Sequence, residues 1–290
     1  MKPFIISTDT CCDLPQSYIT ENDIDIHSLF YRFDDDVYGD DRQLSAKEFF
    51  DRIRDGGMPT TMGSNPESIK NFFRKRIEAG YDILHLSFSQ GLSVTYQSTV
   101  IAANDVMEEY PDARVVVIDT KCASMGQGLL VYKAIQKKDS GATMDDVLAY
   151  VEDLIPHIEH IVTVDDLFHL HRGGRVSKAT AIAGTLVGIK PQLYVNDEGR
   201  LEACAKVRGR KKALTALVDT ADRLMGSYRE QNDVVMIVHD DTTEDAEFVA
   251  SLVREKLGIE NVILNSICPT IGAHTGPGVV ALFCLGESRG

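Results

Sequence analysis

No stretch of this sequence approaches the roughly 18 consecutive apolar residues that a membrane-spanning helix requires, which excludes a helical membrane span. Positive charge is scarce. Thirty Lys and Arg stand against 44 Asp and Glu, a formal net charge of −14, and a field of that sign repels phosphate backbones and anionic bilayers. General nucleic-acid binding and stable membrane insertion are therefore not expected. The six cysteines (11, 12, 122, 204, 268 and 284) form no C-x-x-C pair and read as reduced thiols filling core positions. His169 and His171, two apart on a predicted helix, face different ways, and no H-E-x-x-H occurs, so no metal site is expected. A P-loop, G-x-x-x-x-G-K-[ST], is missing. Gly126-Gln127-Gly128 opens like a dinucleotide fingerprint but continues Leu129-Leu130-Val131 and fails it, so no nucleotide cofactor is expected either. The opening residues lack the apolar segment of a secretory signal, which points to a cytoplasmic protein.

What is present is a regular alternation. At 290 residues the chain is long enough for two packed domains, and the pattern divides them near residue 160. Residues 1–160 read as strand, turn, helix, repeated: strands over 3–8, 26–33, 81–87 and 114–119, with helices after Asp13, Ser45, Asn65 and Ser93. Ser45 with Glu48 has capping-box spacing, and Asn65-Pro66-Glu67 combines a cap, a first-turn proline and an early acid. An aspartate-rich loop (Asp34, Asp35, Asp36, Asp40, Asp41) separates two of these units. Such alternation predicts a Rossmann-like parallel sheet. Residues 161–290 change character, with a hairpin turning at Glu198-Gly199 and a mixture of helices and strands, so the fold class is α/β, a parallel-sheet domain packed on an α+β domain.

Ligands of open parallel sheets collect beyond the carboxyl ends of the strands. Three junctions there are polar: Thr8-Asp9-Thr10, the segment Ser87 to Ser93, and Asp119-Thr120-Lys121. Gly91-Leu92-Ser93-Val94-Thr95 matches the nucleophile elbow G-x-S-x-G only in its first three positions. A serine esterase or acyl transferase using Ser93 and His274 thus stands as the catalytic alternative. His274 lies in a segment with three glycines, Gly272 to Gly278, which reads as a loop able to bring an imidazole close to a ligand. The run Lys206 to Lys212 reverses the overall sign of charge, and Arg172 and Arg175 add two cations in a glycine turn. Cations at a helix start oppose its dipole, so an anionic neighbour is expected there.

Taken in order, Thr8 to Pro15, Pro59-Thr60-Thr61, Gly91 to Ser98, Val117 to Thr120, Gly173 to Ser177, Ile189-Lys190-Pro191 and Gly272 to Gly278 resemble the DegV family, bacterial fatty-acid-binding proteins that include the lipid-carrying subunits of fatty acid kinase. The likeness spans nearly the whole chain. It implies a non-catalytic protein that holds one long-chain fatty acid between its domains, with the carboxylate bound by Thr61, Ser89, Ser93 and His274. A separate ATP-dependent kinase subunit would phosphorylate that carboxylate, docking on Arg172, Arg175, Lys206, Arg208, Arg210 and Lys211. A binder of another amphiphile is a further alternative.

Overall fold

The computed structural model describes residues 2–40, 42–178 and 188–289; Asp41 of the acidic loop lies outside them. Strands β1 (Phe4–Asp9), β2 (Asp25–His27), β6 (Asp82–Ser87) and β7 (Val115–Asp119) form a parallel sheet in the order β2-β1-β6-β7. Helices α1 (Gln16–Glu21), α3 (Pro66–Glu78), α4 (Thr95–Glu109), α5 (Met125–Asp139) and α6 (Met144–Leu154) connect or cover it. The second sheet is mixed and six-stranded. Its order is β10-β9-β8-β13-β11-β12, from β8 (Ile158–Thr163), β9 (Ile189–Val195), β10 (Leu201–Arg208), β11 (Val235–His239), β12 (Val262–Ser266) and β13 (Val280–Leu285). Helices α7 (Phe168–Arg172), α8 (Arg210–Met225), α9 (Thr243–Leu252) and α10 (Pro269–Thr275) accompany it. The expected α/β class and its two sheet types are present.

A third sheet was not foreseen. The expected strand over 26–33 divides, with β2 joining the parallel sheet and β3 (Tyr31–Phe33) pairing antiparallel with β4 (Asp36–Tyr38) and β5 (Thr60–Thr61). The ladder stops because the Leu29 N–H donates to Thr10 Oγ1 at 3.1 Å and Leu29 buries its side chain beside Cys11 and Phe88. The aspartate-rich stretch is likewise a hairpin and not only a loop, turning at Asp34 with φ of 50°. Helix α2 (Ala46–Arg54) closes this small lobe, its start held by the Ser45–Glu48 capping box and its Phe49 and Phe50 fully buried.

Helix α5 joins the two large sheets, packing on β1 and β6 and on β8, β11 and β13. It is buried on nearly every face over residues 125–135. A Cβ at Gly126 would stand 2.1 Å from His160 Nε2, and one at Gly128 would stand 2.5 Å from the Cys12 carbonyl. The G-x-G pattern thus serves close helix packing. Among the described residues no helix is long and apolar enough to cross a membrane.

Candidate functional site

The parallel sheet changes winding direction between β1 and β6, where crevices form at strand C-termini. Here the loops around that crevice are tied to one another by side chains. Asp9 Oδ1 accepts the Cys11 N–H at 3.0 Å and its Oδ2 the Phe88 N–H at 2.9 Å. Thr120 Oγ1 donates to the Ser87 carbonyl at 2.7 Å, and Asp119 Oδ1 accepts the Gln90 and Lys121 N–H groups. Burial raises the Asp9 carboxyl to about 6, against the pull of those backbone donors. All three polar junctions are cross-braced, and the loops they carry are held in place.

Above them, in the seam between the two large sheets, lies a cavity of about 880 Å³ counted with its open mouth. Little of that space lies clear of the walls, so it is a constricted cavity, the channel of the seam. Leu29, Phe88 and Leu92 line it from the first sheet's side; Val162, Leu170, Ile267 and Phe283 line it from the second. Thr61, Ser93, Thr95, Arg175 and His274 form one polar cluster on the wall, and Ser124, His160, Thr270 and Thr275 are polar lining residues besides.

Thr61 is presented by β5, which pairs with β3 in the small lobe, and His274 by α10. The segment Gly272 to Gly278 is therefore helical through Thr275, not a loop. Pro269 suits its first turn and Gly276, at φ of 70°, ends it. His274 Nε2 pairs with Thr61 Oγ1 at 3.1 Å, while its Nδ1 is buried without a partner. Burial first, then the positive charges of Arg175 and Arg172, push this imidazole down to about 3, so it is neutral across the physiological range. Ser93 Oγ pairs with Thr95 Oγ1 at 2.8 Å, and Thr95 Oγ1 with Ser64 Oγ at 3.3 Å, a run of hydroxyls at the head of α4. Ser93 and His274 thus pair with other residues and not with each other, and an imidazole titrating near 3 is a poor general base.

Ser89 stands apart. It is fully buried, outside the cavity lining, and its Oγ donates to the Gly199 carbonyl at 2.7 Å, joining the β6–α4 loop to the β9–β10 hairpin. The cations also divide. Arg172 donates to the Pro59 carbonyl at 3.1 Å and to the Ala273 carbonyl at 3.0 Å, strapping the strand of Thr61 to the helix of His274. Arg175 donates twice to the Leu92 carbonyl, at 3.1 and 2.8 Å, and lines the cavity. Both guanidiniums therefore brace the polar end of the channel, a role the sequence reading did not give them. Arg210 pairs with Asp245 at 2.7 Å and with Asp165 at 3.5 Å, so the anionic neighbour expected at that helix start comes from this chain. Lys206, Arg208 and Lys211 are exposed, along the edge strand β10 and the first turn of α8.

Thr95 and His160 are among the lining residues that the sequence reading missed. Thr95 is nearly fully buried at the centre of the hydroxyl run, a position signalled only by its spacing of two from Ser93. His160 accepts the Ala123 N–H on Nε2 at 3.1 Å, so its Nδ1 holds the proton toward the Ile158 carbonyl at 3.2 Å. Burial, reinforced by Arg289, lowers it to about 3. No group of three or more His, Cys, Asp or Glu among the described residues is placed to hold a metal ion.

The family model for DegV, described as an uncharacterised protein family, matches residues 3–287. A DegV domain-containing protein of Clostridium perfringens is 41% identical over 291 residues, covering 100% of this chain and 99% of its own. A fatty-acid-binding DegV family protein from Thermus thermophilus superimposes with a TM-score of 0.86 at 30% identity, over 99% of this chain and 100% of that one. A stearic-acid-binding protein from Eubacterium ventriosum does so with a TM-score of 0.90 at 25% identity, over 98% of each chain. By the extent of the family match and the identity to its relatives, the chain belongs to the DegV family.

Proposed function

We infer that this protein is a non-catalytic carrier that holds one long-chain fatty acid in the seam channel and offers its carboxylate to a separate kinase for acyl-phosphate formation. The observation that carries the reading is a narrow apolar channel with hydroxyls and a neutral imidazole at one end, in a chain similar to fatty-acid-binding proteins. Burying about 14 methylenes at roughly 0.8 kcal/mol each contributes on the order of 11 kcal/mol before ordering costs. That is enough to retain a ligand through purification. Thr61, Ser93 and His274 are the head-group contacts in this reading, with Thr95 orienting Ser93. Arg175 biases the site toward the ionised acid without meeting it bare, because its donors already serve the Leu92 carbonyl.

Two variants separate binding from presentation. His274→Ala removes a head-group partner whose loss is worth about 1–3 kcal/mol, so palmitate affinity measured by isothermal titration falls roughly five- to 150-fold. Affinity unchanged from wild type contradicts the head-group assignment. Reversing the exposed charges in Arg208→Glu with Lys211→Glu spares palmitate affinity but lowers ATP-dependent phosphorylation of the bound acid by a partner kinase. Undiminished phosphorylation contradicts docking at this edge.

A further inference from the structure

Cys11 lies in the helical turn that follows β1, and Cys268 is the N-cap residue of α10. They are 257 positions apart in the chain, yet their Sγ atoms are 3.8 Å apart. Each follows a strand of a different large sheet, β1 of the parallel sheet and β12 of the mixed one. Both pack with Leu29, Phe88, Leu92, Ala123 and Ile271, residues that line the channel. The two thiols therefore sit directly behind the channel wall. Neighbouring Cys12 does not share this place, because its side chain joins the main core with Leu14 and Met125. The turn at Cys268 is fixed from below, where Asp13 Oδ1 accepts its N–H at 2.9 Å and Asn265 Nδ2 donates to the Asp13 carbonyl at 2.8 Å.

We propose that Cys11 and Cys268 are a redox-sensitive clasp, a dithiol that closes to a reversible disulfide across the domain seam when the protein meets a hydroperoxide. A disulfide requires about 2.05 Å between sulfurs, so the gap closes by less than about 2 Å. Cys268 is the less deeply buried of the two residues, though burial raises both thiols, and it is taken as the first to react. With hydrogen peroxide, the Cys268 sulfur attacks one oxygen and the O–O bond breaks. The sulfur becomes a sulfenic acid, and the departing hydroxide takes up the thiol proton as water. The Cys11 sulfur then attacks the Cys268 sulfur and expels hydroxide, which leaves as a second water with the proton of Cys11. Two thiols lose two electrons and the peroxide is reduced to two waters; an added dithiol reverses the change. Burial holds both thiols above their ordinary range, so the thiolate fraction is small and oxidation at neutral pH is slow, quickening as pH rises.

The clasp ties the start of α10 to the turn after β1, and His274 lies six residues along that helix. If the channel holds a fatty acid, as proposed above, closing the clasp stiffens its wall and slows release of the ligand. The cross-link itself does not depend on that reading. Full-length protein is treated with hydrogen peroxide, blocked with N-ethylmaleimide, digested without reductant and analysed by mass spectrometry. The expected product joins the Cys11 peptide to the Cys268 peptide, vanishes with dithiothreitol, persists in Cys12→Ala, and is lost in Cys11→Ser and Cys268→Ser. Recovery of both cysteines as alkylated thiols, as sulfinic or sulfonic acids, or of Cys268 joined to Cys12 overturns the clasp in the wild-type protein, whatever the variants do. Palmitate released to albumin leaves the oxidised protein severalfold more slowly, and dithiothreitol restores the rate. Equal rates from cross-linked and reduced protein overturn control of the channel.

Discussion

At the scale of single residues, the channel's polar end depends on groups whose conformation leaves little freedom. Gly173 has ordinary right-handed backbone angles, so alanine meets no backbone penalty there, yet its Cβ would stand 2.1 Å from His274 Nδ1. Gly173→Ala therefore displaces the imidazole without unfolding the chain. Palmitate affinity falls about as far as in His274→Ala, while the urea midpoint moves little; a variant that binds like wild type contradicts the packing. Asp13 governs a second property. Burial raises its carboxyl to about 7, against bonds from Ser124 Oγ and from Cys268. Its ordinary value is 3.8, so the native state holds a proton that the unfolded chain has lost between those values. Stability from this group is greatest in acid and declines as pH rises from about 4 through 7, by on the order of 1 kcal/mol per pH unit. Asp13→Asn removes that decline. Urea unfolding at pH 5 and pH 8 shows a smaller difference in the variant than in wild type, and parallel profiles contradict the raised carboxyl.

At the scale of elements, the helices with a dry face and a wet face were legible: α2 and α3 begin at the predicted caps, α2 burying Phe49, Phe50 and Ile53 and α3 burying Ile69, Phe73 and Ile77. Helix α5 was not, because a helix buried nearly all round carries no stripe for periodicity to detect. His274 was expected in a loop because three glycines surround it, but Gly272 is helical so that Phe49 and Phe50 can approach, their rings 2.9 and 3.0 Å from where its Cβ would be. The strand expected over 26–33 split because the Leu29 N–H leaves the ladder to donate to Thr10 Oγ1, 19 residues earlier. Ser89 illustrates the same limit, since its partner is the carbonyl of a hairpin 110 residues away. Ser89→Ala orphans that buried carbonyl and costs about 1–3 kcal/mol in unfolding free energy, with palmitate affinity unchanged. A loss of affinity without a loss of stability contradicts its role as a seam contact and returns it to the head group.

At the scale of the whole molecule, the two sheet types and the order of the motifs were readable because each rests on local chemistry: caps, turns and apolar runs. The division of cations was not, because Arg172, Arg175 and Arg210 find their partners only when distant segments meet. The seam is where those partners converge, and the account rests on what the seam contains. Extraction of the purified protein with organic solvent, followed by mass spectrometry against a protein standard, measures this directly. The account predicts one equivalent of a long-chain fatty acid, or uptake of one equivalent of added palmitate by protein stripped of lipid. Recovery of no such acid, together with no uptake of palmitate, contradicts it.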